Sequence, residues 1–120
     1  MQNDLSERFL EFAASILKLG EKLCKTSTGR HVSGQLTRAG TSAGANYEEA
    51  CSAESQKDFV HKLQIVLKEL KESFYWLRLI NQAALLPTPD PILIFLLKEN
   101  KELINIIAKS IVTAKQNQKL

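Results

Sequence analysis

The sequence predicts an all-α protein, specifically an antiparallel up-down-up-down four-helix bundle that assembles with copies of itself. The 120 residues contain only three prolines and five glycines, and no stretch of alternating β-branched residues indicates a strand. The thirty residues from Ser55 to Ala84 contain neither glycine nor proline, and their apolar residues recur at helical spacing. This long segment also carries a second apolar stripe, which exceeds what one neighbouring helix can cover.

Composition and length favour one globular domain over residues 1–120. Hydrophobic residues make up 44% and charged residues 24% of the chain, which is ordinary for a globular protein with a core. No apolar run approaches the roughly 18 residues of a membrane span, and the acidic N-terminus lacks the basic start of a signal peptide. We therefore expect a cytoplasmic protein with no membrane contact. The net charge of +3 permits an anionic partner without indicating one.

The first helix is predicted over about residues 4–25, with Asn3 or Asp4 as its cap. Its apolar residues alternate at spacings of four and three, which is the pattern of one buried heptad stripe. These residues are Leu5, Phe9, Phe12, Ile16, Leu19 and Leu23. The turn formers between Lys25 and Gly29 are expected to separate the first helix from the second.

The second helix is predicted over about residues 31–52 and is rich in small residues. Gly34, Gly40 and Gly44 each cost about 1 kcal/mol of helix propensity relative to alanine. Such a cost is easiest to explain where the backbone of a neighbouring helix comes close, so we expect an unusually tight helix crossing. The inner face is predicted to comprise Val32, Leu36, Ala39, Ala43, Tyr47 and Ala50.

The third helix is predicted over about residues 56–84 and the fourth over about residues 89–116. Ser55 is the expected cap of the third helix, because its hydroxyl can accept a hydrogen bond from the amide of Asp58. Thr88 is the expected cap of the fourth, with the following proline as the first helical residue. The main seam of the third helix comprises Phe59, Leu63, Val66, Leu70 and Leu77. The short connections between helices favour antiparallel neighbours.

A second apolar stripe on the third helix predicts self-association. Ile65, Trp76 and Ile80 lie roughly 60 to 120° around the helix from the main seam, too far to share its contact. Burial of each such side chain is worth about 1.5 to 3 kcal/mol, so leaving all three in water would be costly. We expect these residues to form the interface of a homo-oligomer.

The residues show no signature of catalysis, of a cofactor or of a metal site. Di-metal bundles use Glu-x-x-His motifs, and the nearest approach is Asp58-x-x-His61, in which Asp58 is already assigned to a helix start. No serine lies in a strand-turn-helix elbow, and no glycine-rich loop can hold a phosphate. We therefore expect a protein that is not an enzyme and that binds neither cofactor nor metal.

A polar stripe runs along the second helix beside its apolar face. Arg38 and Glu49 are predicted to close a hydrogen-bonded network through Ser42 and Asn46, which would fix the helix register or a subunit contact. The alternatives are a solvated helix face and a ligand or catalytic site. The stripe comprises Gln35, Arg38, Ser42, Asn46 and Glu49, at spacings of three, four, four and three.

The third helix carries basic residues on the face opposite its main seam. Basic side chains with an aromatic residue at the end can follow a phosphate backbone and stack a base. The alternative is a charged face that contacts only water. The residues predicted to contact nucleic acid are Lys57, His61, Lys68 and Lys71, with Gln64 between them and Tyr75 at the end.

Parts of the second and third helices carry a resemblance to a known family. They are Gln35-Leu-Thr-Arg-Ala39, Thr41-Ser-Ala-Gly-Ala-Asn-Tyr-Glu-Glu49, Asp58-Phe59, Leu63 through Lys68-Glu-Leu-Lys-Glu-Ser73, and Tyr75-Trp-Leu77. They resemble the small bacterial four-helix bundle proteins, some of which are encoded within intervening sequences of large-subunit ribosomal RNA genes. Within this resemblance, Arg38, Ser42, Asn46 and Glu49 match the family motif position by position.

The resemblance implies a homo-oligomer, with ring-shaped pentamers known in the family, and no established enzymatic activity. The accessory subunit of diversity-generating retroelements is similar in fold and binds nucleic acid and a reverse transcriptase. The favoured function is therefore a non-catalytic, self-assembling scaffold that contacts RNA, DNA or a nucleic-acid enzyme. A protein–protein interaction module without nucleic acid is the first alternative, and a hydrolytic or metal enzyme is the second.

Overall fold

The computed structural model describes residues 4–118, which form four α-helices and no strand. In chain order, the helices are α1 (Asp4–Leu23), α2 (Ser27–Cys51), α3 (Gln56–Gln82) and α4 (Pro91–Gln118). The predicted all-α class with four helices is confirmed. Asn3, the alternative cap of the first helix, lies outside the described residues.

Each helix contacts two of the others, and together the four helices enclose a core. The contacting pairs are α1 with α2, α2 with α3, α3 with α4, and α4 with α1. The contacts between α1 and α2 run in opposite chain order, since Gly20 lies beside Ser33 whereas Ile16 lies beside Gly40. The bundle is elongated and measures 51 × 24 × 23 Å.

The core is built from the apolar seams that the sequence predicts. Each helix turns one stripe inward, and the burial of these side chains supplies the main driving force for folding. In α3, Leu63, Val66, Leu70 and Leu77 are buried, while Phe59 is half-buried against the core. The fully buried side chains of the other helices include Phe9, Phe12, Ile16, Leu36, Leu96, Leu103 and Ile107.

The turn between α1 and α2 is shorter than predicted. The second helix is expected from about His31, but α2 begins at Ser27. The reason is a cap at Thr26, whose side-chain oxygen accepts a hydrogen bond from the N–H of Gly29 at 2.9 Å. Thr26 has the extended backbone typical of a cap, with φ of −129° and ψ of 160°. Residues typical of a turn therefore form the first helical turn of α2.

The start of α4 also differs from the prediction, which places the cap at Thr88. The cap is Asp90, whose Oδ1 accepts hydrogen bonds from the N–H groups of Ile92 and Leu93, each at 3.0 Å. A carboxylate satisfies two helix N–H donors and carries the charge that the positive end of the helix dipole favours. The later proline of this segment, Pro91, is therefore the first residue of α4.

Two glycines bring α1 and α2 close together, as predicted for Gly40 and Gly44. A Cβ atom added to Gly40 would lie 2.9 Å from Cγ1 of Ile16, a side chain that is fully buried. A Cβ atom added to Gly44 would lie 3.3 Å from Cβ of Phe9. Gly34 differs from the prediction, because open space surrounds the position of its added Cβ. The tight crossing therefore needs only two of the three glycines.

A buried polar contact between α3 and α4 has no counterpart in the sequence analysis. Asn100 donates from Nδ2 to the carbonyl oxygen of Leu70 at 2.9 Å, and the Ser73 hydroxyl lies 2.8 Å from Asn100 Oδ1. Both side chains are fully buried, so their polar atoms need these partners. The contact fixes the register of α3 against α4, since sliding would leave buried polar groups unpaired.

Alanine substitutions at two glycines of α2 should have opposite effects on stability. Gly40→Ala should lower the free energy of unfolding by about 1 to 3 kcal/mol, because the new methyl group overlaps Ile16. Gly34→Ala should raise it by about 0.5 to 1 kcal/mol, because alanine favours the helix and the space is open. Urea unfolding followed by circular dichroism measures both values. Equal effects of the two substitutions would contradict the close approach at Gly40.

Candidate nucleic-acid interface

The outward face of α3 presents only basic or neutral side chains to solvent. The structure places Lys57, His61, Lys68 and Lys71 on this face, all of them exposed. Arg78 extends the face by one basic residue that the sequence analysis omits. The exposed residues of α3 are, in chain order, Gln56, Lys57, His61, Gln64, Lys68, Lys71, Tyr75, Arg78, Asn81 and Gln82.

The acidic residues of α3 are turned away from this face. Asp58, Glu69 and Glu72 are half-buried, and both glutamates lie on the side that faces α2. Arg38 of α2 donates to both: its Nη1 lies 3.1 Å from Glu69 Oε2, and its Nη2 bonds Glu72 Oε2. Because these ion pairs hold both carboxylates beside α2, they leave the positive charge on the solvent face of α3 without an acidic neighbour on that face.

The charged groups at this contact stabilise each other's ionised forms. The hydrogen bond from Arg38 lowers the pKa of Glu72, and a hydrogen bond from Trp76 Nε1, at 3.2 Å, acts in the same direction. Conversely, the Glu72 carboxylate raises the pKa of Arg38. The Arg38 side chain is 52% exposed, so solvent screens the contact and its contribution to stability is modest.

The predicted network between Arg38 and Glu49 is wrong, because both side chains cross to α3 instead. Glu49 Oε1 accepts a hydrogen bond from Lys62 Nζ at 2.8 Å, while Arg38 binds the two glutamates of α3. Eleven residues separate Arg38 from Glu49, which is roughly 16 Å along a helix, whereas opposite charges on α3 lie within hydrogen-bond distance. The charged residues of the stripe therefore fix α2 against α3.

The uncharged residues of the stripe contribute contacts within α2. Asn46 donates from Nδ2 to the carbonyl oxygen of Ser42 at 2.9 Å and lies 3.1 Å from the Ser42 hydroxyl. Gln35 is half-buried at the start of the stripe. Asn46 and Ser42 therefore contact each other as predicted but do not connect Arg38 to Glu49. The Asn46 amide reaches Ser42 because residues four apart lie one helical turn from each other.

The predicted oligomer interface needs correction at Ile80, which is fully buried in the core of its own chain. Trp76 is half-buried and packs against the core, and its ring meets His31 of α2 edge-on with 6.2 Å between ring centroids. Ile65 is also half-buried. These residues do lie away from the main seam of α3, as helix geometry predicts, but α2 packs against much of that side of the helix. The three residues therefore do not form one exposed stripe.

The exposed large apolar side chains lie elsewhere. Apart from Tyr75 on α3, those found within residues 4–118 belong to α1 and α4. They are Leu10, Leu17, Ile94, Phe95 and Val112. The prediction of one apolar stripe for each of these helices leaves them out, although the spacing of seven between Leu10 and Leu17 is a visible signal.

Charge is distributed unevenly over the bundle. The exposed residues of α3 and α4 include eight lysine or arginine residues and one acidic residue, Glu102. The exposed residues of α1 include four acidic residues and two lysines. The modest net charge of +3 therefore combines a basic side with an acidic side. An anionic partner is attracted to the side of α3 and α4 and is repelled from α1.

The basic face of α3 has the length and the aromatic group that a nucleic-acid strand requires. From Lys57 to Arg78 it runs roughly 30 Å along the helix, enough for several phosphate contacts. Tyr75 is 56% exposed, so its ring is available to stack a base. The Tyr75 ring also makes an edge-on contact with the ring of Trp76, with 5.1 Å between ring centroids.

The described part of the chain has a cleft at one end but no arrangement of metal ligands. Within residues 4–118, no group of three or more His, Cys, Asp or Glu residues is arranged to hold a metal ion. Nor is any helix of these residues long and apolar enough to cross a membrane. A cleft of about 1020 Å³ lies at one end of the bundle among Lys18, Lys22, Leu86 and Ile92. The basic residues of α3 do not line it.

Removing the Glu72 carboxylate should weaken the bundle at neutral pH but not in acid. A carboxyl group whose pKa is lowered on folding stabilises the folded state above its unfolded pKa, and this contribution is lost as the pH falls through the lowered value. The melting temperature of Glu72→Gln should therefore lie below that of the wild type at neutral pH and approach it between about pH 5 and pH 2.

Thermal melts at a series of pH values measure this difference. Glu48→Gln is the matched control, because it removes an exposed carboxylate of α2 that lies outside the contact with Arg38. The control should melt close to the wild type throughout. A difference between Glu72→Gln and the wild type that does not change with pH would contradict the ion pair.

Comparison with known proteins confirms the resemblance seen in the sequence. Residues 1–109 match the family model described as 23S rRNA-intervening sequence protein. The chain is also similar to a protein of unknown function from the S23 ribosomal protein family of Bacteroides thetaiotaomicron VPI-5482, whose crystal structure was determined at 1.70 Å resolution. That match has a TM-score of 0.80 and 33% identity, and it covers 88% of this chain and 96% of the other. Among curated proteins, none matches. The chain therefore belongs to the family of 23S rRNA-intervening sequence proteins.

Proposed function

We propose that the protein is a non-catalytic, self-assembling cytoplasmic scaffold that contacts RNA or DNA, alone or together with a nucleic-acid enzyme, through the outward face of α3. One observation carries this proposal. Every exposed side chain of α3 is basic or neutral, because the glutamates of that helix are held against α2 by Arg38. A helix face with cations and no anions attracts a phosphate backbone along its whole length.

The contact is proposed to be tolerant of sequence. Lysine side chains on one helix face reach phosphates and not the edges of bases, and phosphate contacts carry no direct sequence information. Tyr75 adds stacking, which every base can provide with its ring face. Binding should therefore depend strongly on salt and weakly on base composition.

Self-assembly strengthens a contact that one chain makes weakly. The α3 face of one chain offers four lysine or arginine side chains, too few for tight binding at physiological salt. Several copies on one strand raise the avidity by about 10² to 10⁴ without any new chemistry. The opposite chain order of the contacts between α1 and α2 supports the antiparallel arrangement of the bundle. The family resemblance implies that the assembly is a pentamer.

A protein–protein interaction module without nucleic acid is the second candidate. The exposed leucines Leu10 and Leu17 favour it, because apolar side chains at the surface of a bundle gain from contact with another protein. The acidic side chains around them do not suit nucleic acid. The two candidates differ in whether α3 binds anything, so a test of α3 separates them.

Replacing Lys57, Lys68 and Lys71 by glutamate should abolish binding to nucleic acid. Fluorescence anisotropy with labelled single-stranded RNA, single-stranded DNA and structured ribosomal RNA measures the affinity as a function of salt. The wild type should bind with a steep salt dependence. If only part of the binding is lost, the slope of log K against log salt should fall by about 2, since three phosphate contacts disappear.

The matched control replaces Lys98, Lys101 and Lys109, three exposed lysines of α4, by glutamate. It changes the net charge by the same amount, so it separates the position of the charges from their sum. The control should retain most of the binding. Equal losses of affinity in the two triple variants would show that binding depends on net charge and not on the α3 face. If the wild type binds no probe at low salt, the protein–protein interaction module becomes the favoured candidate.

A further inference from the structure

Three aromatic rings form a continuous row across the boundary between α2 and α3. Tyr75 and Trp76 belong to α3, and His31 belongs to α2. The Trp76 ring meets the Tyr75 ring edge-on, with 5.1 Å between centroids, and meets the His31 ring edge-on, with 6.2 Å between centroids. Tyr75 and His31 are exposed, whereas Trp76 is half-buried against the core. The row therefore presents two rings to solvent, each in contact with a third ring that the core holds.

Hydrogen bonds fix the middle ring of the row. Trp76 Nε1 donates to Glu72 Oε2 at 3.2 Å, and the same carboxylate oxygen accepts a hydrogen bond from Arg38. Because Trp76 is held by this carboxylate and by the core, the two outer rings lie against a fixed neighbour, and a base that stacks on them orders little new structure. Glu72 is half-buried and its charge is paired with Arg38, so it repels a phosphate only weakly.

The surface of α2 beside the row is basic or neutral. Both acidic residues of α2, Glu48 and Glu49, lie at the other end of that helix. The start of α2 lies beside the end of α3, because His31 contacts Trp76 whereas Glu49 contacts Lys62. The basic face of α3 therefore continues onto the first half of α2. The exposed residues of that half are Ser27, Thr28, Arg30, His31, Gly34 and Arg38.

We propose that this aromatic row is a stacking platform for unpaired bases, at which a bound single strand crosses from α3 to α2, with one base on Tyr75, another on His31 and a phosphate on Arg30. The inference rests on the proposed contact of α3 with nucleic acid, and it names the ligand as single-stranded RNA or DNA. In a duplex, the ring faces of the bases are covered by their neighbours in the stack. Only the phosphates of a duplex could then contact this surface.

The side chains of the row and its neighbour Arg30 suit such a strand. An aromatic face stacks on any base, so the platform adds affinity without selecting a sequence. Arg30 is exposed, and its Nη1 lies 3.4 Å from the carbonyl oxygen of Cys24, which is a long and weak hydrogen bond. Most of the five N–H donors of its guanidinium therefore remain for a phosphate.

Fluorescence anisotropy with three labelled probes of equal length tests the platform. The probes are a single strand of mixed sequence, the same strand with abasic sites in place of its bases, and a duplex. His31→Ala should raise the Kd for the intact single strand by about fivefold or more, because one base loses its stacking partner. The same variant should leave the Kd for the abasic strand and for the duplex unchanged, since neither offers an unpaired base.

Two further replacements at His31 separate the ring from the charge. His31→Phe should keep the wild-type preference for the intact strand over the abasic strand, because it keeps an aromatic face. His31→Lys should show the reduced preference of His31→Ala, although it carries a positive charge. Circular dichroism and the mass from light scattering should match the wild type in every variant, since His31 is exposed. The mass separates a role in stacking from a role in assembly.

The phosphate contact of Arg30 has its own readout. Arg30→Gln should lower the slope of log K against log salt by about 1, since one phosphate contact disappears. Lys109→Gln is the matched control, because it removes one exposed positive charge of α4, outside the two helices that carry the row. The control should keep the wild-type slope, and an equal change in both variants would remove Arg30 from the contact.

Three results would overturn the platform. They are unchanged binding of the single strand by His31→Ala, an equal loss for all three probes, and recovery of the preference in His31→Lys but not in His31→Phe. Binding that is lost on replacing Lys57, Lys68 and Lys71 but is unaffected by His31→Ala would sink only the platform. A wild type that binds no probe at low salt would sink the proposed contact with nucleic acid and the platform together.

Discussion

The contact of Arg38 with Glu69 and Glu72 is the interaction on which the proposed nucleic-acid face of α3 depends. Carboxylates of α3 that faced solvent would offset the positive charge of its lysines. Arg38 of α2 holds the carboxylates of Glu69 and Glu72 at the boundary between α2 and α3. The Glu72 carboxylate also accepts a hydrogen bond from Trp76. The contribution of this contact to stability is modest because Arg38 is half exposed. The contact holds both carboxylates at the boundary with α2, away from the exposed lysines of α3.

The bundle separates two kinds of surface by placing them on helices that do not meet. In the described residues, α1 and α3 are not adjacent helices, because each packs against α2 and α4. The basic face of α3 and the acidic, leucine-bearing face of α1 therefore lie apart. The chain belongs to the matched family, and the similar crystal structure is of a protein of unknown function.

The sequence predicts the helices and their buried seams well because both follow from local periodicity. Leu63, Val66 and Leu70 face the core in the structure for the same reason that they stand out in the sequence. The helix starts are less predictable, because Thr26 and Asp90 compete with other capping residues nearby and only the folded backbone selects between them.

Contacts between helices are the part that the sequence could not supply. The partner of Arg38 depends on which helix lies beside α2 and in which register, so its glutamates on α3 could not be read from the spacing within α2. The same holds for Ile80. It lies outside the main seam of α3, but neighbouring parts of the bundle bury it completely. The exposed leucines Leu10 and Leu17 could have been predicted from the sequence, since their spacing of seven places them on one face of α1.

The most direct measurement of the central claim is a nuclear magnetic resonance titration of the isotope-labelled protein with a short single-stranded RNA at low salt. The account predicts that the largest amide shifts cluster along α3 from Lys57 to Arg78, with little change along α1. They should vanish as salt is added. Shifts centred on α1 or on the end of the bundle near Lys22, or no shifts at any RNA concentration, would contradict the account.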